Sequence, residues 1–136
     1  MRYGFKKGII MKYLHAMIRT NNEKEMTNFY TDLLGLKIGN RIRLKDCYLQ
    51  YLTDEITGCE LELTINDESQ KYNQGNQFGH FAFECDDLDV IDKKIKNMGY
   101  KWFIEPFYLD EVKTRISFIK DPDGNEIELI EKIKAE

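Results

Sequence analysis

The chain holds two histidines, His15 and His80, and each opens a segment that later reaches a glutamate-bearing strand signal. His15 stands in YLHAMIRT and His80 in FGHFAFEC. After each comes a helix-like stretch that closes on a glycine, Gly35-Leu36-Lys37 and then Gly99-Tyr100-Lys101. Each half ends on Gly-x-Glu-aliphatic-Glu-Leu, as GCELEL from Gly58 to Leu63 and GNEIEL from Gly124 to Leu129. The separation from His15 to Glu62 differs by a single residue from that between His80 and Glu128. Two imidazoles and two carboxylates at matched places of a repeat suit one borderline divalent ion, such as nickel, cobalt, zinc or iron. An octahedral ion held this way keeps room for water or substrate.

Strands must position these groups. Alternation puts residues i, i+2 and i+4 on one face. His15 therefore shares a face with Arg19, and Glu62 with Thr64 and Asn66. If the first and last strands of each half lie side by side, His15 can meet Glu62 and His80 can meet Glu128. Alternation alone does not choose within each glutamate pair, because Glu60 shares a face with Glu62 and Glu126 with Glu128. Glu62 and Glu128 lie deeper in their strands, where a carboxylate is costly unless paired or coordinated.

The periodicities give each half the order strand, helix, strand, strand, strand. In the first half the strands are 12–20, 36–43, 47–52 and 59–66. A helix between the first two is predicted from the spacing of Met26, Phe29, Tyr30, Leu33 and Leu34, with Asn22 and Glu25 as a capping box and Gly35 as the terminator. In the second half the strands are 79–84, 101–104, 113–120 and 125–133. Their helix starts at an Asp87 cap and buries Leu88, Ile91, Ile95 and Met98. Asp121-Pro122-Asp123-Gly124 is a turn signal. The fold class is thus α+β, with a first βαβββ module over 11–66, a polar connector over 67–78 and a second module over 79–134. Residues 1–10 precede the repeat, and Met11 is an alternative start. This extension is expected to be disordered or an artefact.

A chain of 136 residues with 42% hydrophobic and 12% aromatic content fits a folded domain of two half-domains. Each half is too small for a robust core of its own, so the halves must pack on each other or on a second chain. A formal net charge of −4 supplies no basic excess to replace counterions, which excludes nucleic-acid binding as the main activity. No apolar run is long enough for a membrane span, and the N-terminus is too charged for a signal peptide. The three cysteines, Cys47, Cys59 and Cys85, form no CxxC pair and read as reduced, strand-buried thiols of a cytoplasmic protein.

These motifs, in this order, resemble the glyoxalase I (lactoylglutathione lyase) family of the vicinal oxygen chelate superfamily. YLHAMIRT resembles its opening strand, FYTDLLGLK its first helix end, ELELTIN its second ligand strand, FGHFAF its third and DPDGNEIELIE its closing turn and strand; the likeness runs from Met11 to Lys132. The resemblance implies two βαβββ units forming concave sheets, and metal ligands at His15, Glu62, His80 and Glu128. It implies a homodimer whose sites are shared between chains, and Arg19 and Asn66 as substrate-binding residues for the glutathione part. Each of these lies four residues beyond its ligand, roughly 13 Å along a strand. It also implies nickel or cobalt ahead of zinc, with zinc compatible, because the chain lacks a long helical insertion and carries histidine rather than glutamine at position 15. One departure is clear. A basic, glycine-rich loop is expected before the penultimate strand, whereas this chain has Tyr108-Leu109-Asp110-Glu111-Val112-Lys113.

The implied substrate is the hemithioacetal of methylglyoxal and a thiol. Its isomerisation to a thioester moves a proton between adjacent carbons, which needs a base and charge stabilisation at two vicinal oxygens. The resemblance assigns the catalytic carboxylates to Glu128, as base, and Glu62. The rival enzymes are an epimerase, a dioxygenase or an antibiotic-modifying thiol transferase. A fourth protein ligand at Glu62 disfavours a dioxygenase, which needs open positions for oxygen. A drug-binding protein of this fold would need no ligand set at all.

Overall fold

Backbone pairing in the computed structural model, which describes residues 7–134, divides the strands into two four-stranded sheets. The first has the order β1-β4-β3-β2, built from His15–Arg19 (β1), Lys37–Arg43 (β2), Cys47–Thr53 (β3) and Glu60–Asn66 (β4). The second repeats it as β5-β8-β7-β6, from His80–Cys85 (β5), Trp102–Leu109 (β6), Thr114–Lys120 (β7) and Glu126–Glu131 (β8). Helix α1 covers Glu23–Asn28 and runs into a π-helical turn over Phe29–Leu33; α2 covers Leu88–Asn97. Each half is therefore a βαβββ module, as the repeat implies.

First and last strands of each half are parallel neighbours, and the register itself is duplicated. His15 pairs with Glu60 across β1 and β4, and His80 pairs with Glu126 across β5 and β8. Side chains alternate along a strand, so Glu62 and Glu128 fall one pleat further along on the histidine face. The intervening residues Leu61, Leu63, Ile127 and Leu129 point the other way and are buried.

There they meet the helices. Met26, Phe29, Tyr30 and Leu33 pack in one continuous cluster with Leu88, Ile95, Ile119 and Ile127, so the two modules share a core. Phe29 sets its ring edge-on to Tyr100 of the second module, with centroids 5.3 Å apart. Burying such side chains is worth about 1.5–3 kcal/mol each, so neither half retains its share of the core alone. Polar contacts reinforce the seam. Buried Asp121 accepts from the Tyr30 hydroxyl at 2.7 Å, and Asp123 accepts from Thr20 at 2.5 Å and from Asn22 at 2.7 Å.

Several boundaries differ from the sequence reading. β1 starts at His15 rather than Lys12, because its partner β4 begins at Glu60 and offers nothing to pair with residues 12–14. β6 runs to Leu109 instead of stopping at Ile104. It is an edge strand, where Pro106 can lie with its missing N–H outside the ladder, and its register shifts on either side of Ile104. Asn22 makes no capping-box bond; its side chain is drawn to Asp123 across the module seam. Asp87 does cap α2, accepting from the Asp89 N–H. Gly35 and Gly99 end their helical segments at φ of 83° and 79°, a conformation that penalises any Cβ. Cys59 is exposed in the turn before β4 rather than buried, while Cys47 and Cys85 are half-buried. Of the N-terminal extension over 1–10, residues 1–6 lie outside the described part and residues 7–10 are exposed; residues 11–14 of the first module are also exposed and without strand pairing.

Candidate metal and active site

His15 and Glu62 meet on the face of the first sheet away from the helices. Nε2 of His15 lies 2.7 Å from Oε2 of Glu62, whose side chain is 9% exposed. Two further residues flank Glu62. Thr64, one pleat along β4, donates through Oγ1 to Oε1 at 3.2 Å. Tyr51, its register partner on β3, stands edge-on to the His15 ring at 5.4 Å. The Glu62 carboxylate beside it, together with burial, raises the Tyr51 phenol above its ordinary pKa.

The second sheet repeats the arrangement with fewer ties. Nε2 of His80 is 3.4 Å from Oε1 of Glu128, whose side chain is 17% exposed. Phe118 is the register partner of Glu128 and sits edge-on to His80 at 5.5 Å. It has no hydroxyl, and the residue one pleat along from Glu128 is Ile130. The other glutamates have separate partners or positions: Glu60 accepts from Thr53 at 2.8 Å, and Glu126 pairs in register with His80 at the strand start.

Each sheet thus brings together one imidazole and one carboxylate, but the two pairs do not converge within the chain. Among the described residues no group of three or more His, Cys, Asp or Glu side chains could hold an ion. The donor chemistry nonetheless suits a borderline divalent metal in each half: a ring nitrogen and a carboxylate oxygen on rigid neighbouring strands, both partly desolvated. A pair is half a coordination set, so completion requires the matching half from elsewhere.

Arg19 and Asn66 lie at the ends of β1 and β4. Arg19 is exposed, and no carboxylate among the described residues pairs with it. It lines a cavity of about 710 Å³ with Asn21, Gln70, Tyr72, Phe81 and Asp123. Asn66 donates to the Tyr72 hydroxyl at 2.9 Å, which links it to the same connector. Neither this cavity nor a second of about 630 Å³ along β1 and β5 is lined by any of the four His and Glu residues. The four His and Glu side chains therefore lie on open sheet faces rather than in an enclosed pocket.

The loop that departs from the expected basic pattern is a tight exposed turn over 110–113. Its backbone closes through the Lys113 N–H to the Leu109 carbonyl at 2.9 Å, and Lys113 takes a positive φ of 58°. Asp110 and Glu111 both face solvent there.

Sequence comparison agrees with this architecture. Residues 12–129 match the Glyoxalase/Bleomycin resistance protein/Dioxygenase superfamily. The chain belongs to that superfamily. Within it, the chain is 35% identical to the lactoylglutathione lyase of Neisseria meningitidis serogroup A, covering 90% of this chain and 91% of that protein. It is 37% identical to a probable lactoylglutathione lyase of Synechocystis, over 89% of this chain and 95% of the relative. Glyoxalase I from Zea mays superposes with a TM-score of 0.79 at 32% identity, over 90% of this chain; the match spans 45% of the maize chain, so the latter is about twice as long. Superfamily membership accounts for the duplicated βαβββ modules.

Tyr51, Thr64 and Phe118 were not singled out from the sequence. The available signal was their place in the repeat: Tyr51 and Phe118 occupy matching strands, but only pairing with β4 and β8 shows that they are register partners of Glu62 and Glu128.

Proposed function

We propose that this protein is a lactoylglutathione lyase, isomerising the hemithioacetal of methylglyoxal and a thiol to the S-D-lactoyl thioester and so detoxifying methylglyoxal. The observation that carries the reading is the pair of His–Glu half-sites in duplicated register, in a chain about 35% identical to lactoylglutathione lyase over most of its length. The half-sites do not meet within one chain, which supports a homodimer in which His15 and Glu62 of one protomer face His80 and Glu128 of its partner. The exposed apolar side chains Met17, Ile104 and Phe107 favour a covering partner.

His15, Glu62, His80 and Glu128 would hold one divalent ion per site, with nickel or cobalt favoured over zinc. When bound, such an ion supplies Lewis-acid stabilisation of negative charge on two vicinal substrate oxygens. The protein's own groups do the rest. Glu62, held by Thr64 and His15, keeps a fixed position. Glu128, with no second side-chain donor, is free to take the proton from the hemithioacetal carbon bearing sulfur and return it to the neighbouring carbon. Arg19 and Asn66 would bind the polar tail of the thiol, glutathione being the first candidate. Asp110 and Glu111 are a reason to compare thiols of different charge. No described helix is long and apolar enough to cross a membrane, and the unpaired cysteines favour a cytoplasmic location.

The test is direct. Protein stripped with chelator and reloaded with nickel, cobalt or zinc is offered methylglyoxal with glutathione, a cationic thiol and a small neutral thiol, and thioester formation is followed. Turnover that depends on metal is expected with at least one thiol. Absence of turnover with every combination would overturn the assignment.

A further inference from the structure

Arg19 and Asp123 line the same cavity of about 710 Å³, yet no ion pair joins them. The hydrogen bonds around Asp123 give the reason. Its Oδ2 accepts from the Thr20 hydroxyl at 2.5 Å, and its Oδ1 accepts from the Asn22 amide at 2.7 Å. Thr20 is fully buried, and its Oγ1 in turn accepts from the Asn22 N–H at 2.9 Å, so the donor is itself held. The Asp123 backbone is tied as well. Its N–H donates to Asp121 Oδ1 at 3.0 Å, and its carbonyl accepts from Gln74 of the connector at 2.8 Å. Thr20 directly follows Arg19 and donates its own N–H to the Thr64 carbonyl at 3.1 Å, so these bonds also fix the end of β1 from which the guanidinium extends.

We propose that Asp123 is a positioning residue for the tail cavity: Thr20 and Asn22 hold its carboxylate off Arg19, which leaves the cavity an uncompensated cation and selects thiols whose tail carries a carboxylate. The inference rests on the functional reading above for the presence of a thiol tail at Arg19. A guanidinium and a carboxylate that can reach each other form a strong charge-assisted pair. An Asp123 side chain free to turn would therefore occupy the donors that a ligand needs. Asp123 instead spends both oxygens on neutral donors, a hydroxyl and an amide, which add no competing charge. The selectivity lies in where a carboxylate is kept, not in an extra cation. A tail without a carboxylate gains nothing from the arrangement, and discrimination is the difference between the two affinities.

The test measures equilibrium binding of two unreactive probes to the intact protein by titration calorimetry: S-methylglutathione, which keeps its carboxylates, and its dimethyl ester, which has none. Circular dichroism verifies folding. The unaltered protein is expected to bind the carboxylate probe more tightly than the ester. Thr20→Val removes the hydroxyl and frees Oδ2 to turn to Arg19. It should weaken the carboxylate probe on the order of 10-fold, the value of one lost charge-assisted hydrogen bond, and leave the ester little changed. Adding Asp123→Asn to Thr20→Val removes the competing charge and should restore the carboxylate probe to near its original affinity. Asn22→Ala, at the exposed end of the same arrangement, should show the charge-dependent loss if Thr20→Val does not fold. Equal loss of both probes, no restoration by Asp123→Asn, or an unaltered protein that does not prefer the carboxylate probe would each overturn the proposal. Neither probe reacts, so these affinities decide the role of Asp123 whether or not a hemithioacetal is turned over; thioester formation by the unaltered protein decides the assigned reaction separately.

Discussion

Glu62 and Glu128 occupy the same register position in two sheets of the same strand order, yet they are held differently. Glu62 lies 2.7 Å from its histidine and accepts from Thr64; Glu128 lies 3.4 Å from its histidine and, among the described residues, has no other side-chain partner. A duplicated scaffold can thus hold two identical side chains differently by changing what lies next to them. Rigidity suits a ligand, because preorganisation lowers the cost of binding. Freedom suits a base, because it must follow a proton from one carbon to the next.

The strongest way to break this comparison is to neutralise each glutamate in turn. Glu128→Gln keeps an oxygen for coordination but cannot accept a proton at neutral pH. Its hemithioacetal turnover should fall on the order of 10²- to 10⁴-fold while metal affinity changes far less. Glu62→Gln should show the opposite balance, with the larger loss in metal affinity. Equal losses of turnover in the two variants would mean that the half-sites are functionally interchangeable.

The origin of each half can be tested by mixing inactive chains. His15→Ala and Glu128→Gln damage different halves. If each site draws one half from each protomer, a heterodimer of the two variants contains one undamaged site and one with both lesions. Random pairing then restores about a quarter of the activity of the unaltered protein, since half the dimers carry one good site of two. Sites built within single chains would give no restoration on co-expression, as every site would retain one lesion.

Much of this arrangement was legible in the sequence because its signals are local and repeated. Strand alternation, the glycines that end both helical segments and the turn at Asp121–Gly124 need no tertiary information. The resemblance carried the choice of Glu62 over Glu60 and of Glu128 over Glu126; alternation could not, since each pair shares a face. That choice became physical only with the parallel register, which places Glu62 one pleat beyond the partner of His15. Features that depend on the other module were invisible. Asn22 looked like a helix cap until Asp123 competed for it, and Tyr30 looked like plain core although its hydroxyl has a buried acceptor ninety-one residues away. The extension of β6 through Pro106 depended on its being an edge strand, a property of topology rather than of local sequence.

A smaller effect is expected at Arg19, which tests whether the tail site belongs to the first half alone. The matching position of the second half is Glu84, so the cation is not duplicated. Arg19→Ala should raise KM for a glutathione hemithioacetal on the order of 10-fold, the value of one lost charge-assisted hydrogen bond, with kcat nearly constant. A fall in kcat at constant KM would place Arg19 in the chemistry instead.

The smallest effect should come from Tyr30, which joins the modules without touching either half-site. Its hydroxyl donates to buried Asp121 at 2.7 Å, but Asp121 also accepts from the backbone N–H groups of Asp123 and Asn125 and from the Asn125 side chain. Tyr30→Phe therefore leaves the carboxylate with three donors, so the loss should be near the low end for a buried hydrogen bond, about 1 kcal/mol. Chemical denaturation at fixed protein concentration should show this as a lower midpoint with the slope unchanged. Metal affinity should not move. The pH dependence adds a second check. Burial, and then Asp121, push the Tyr30 phenol far above its ordinary value, so the native state strongly favours the protonated form. Its contribution is complete below the unfolded phenol pKa of about 10 and declines as pH rises above it. The unaltered protein should lose stability in that alkaline range faster than Tyr30→Phe does; parallel decline of the two would mean that the phenol is not held as a donor in the seam.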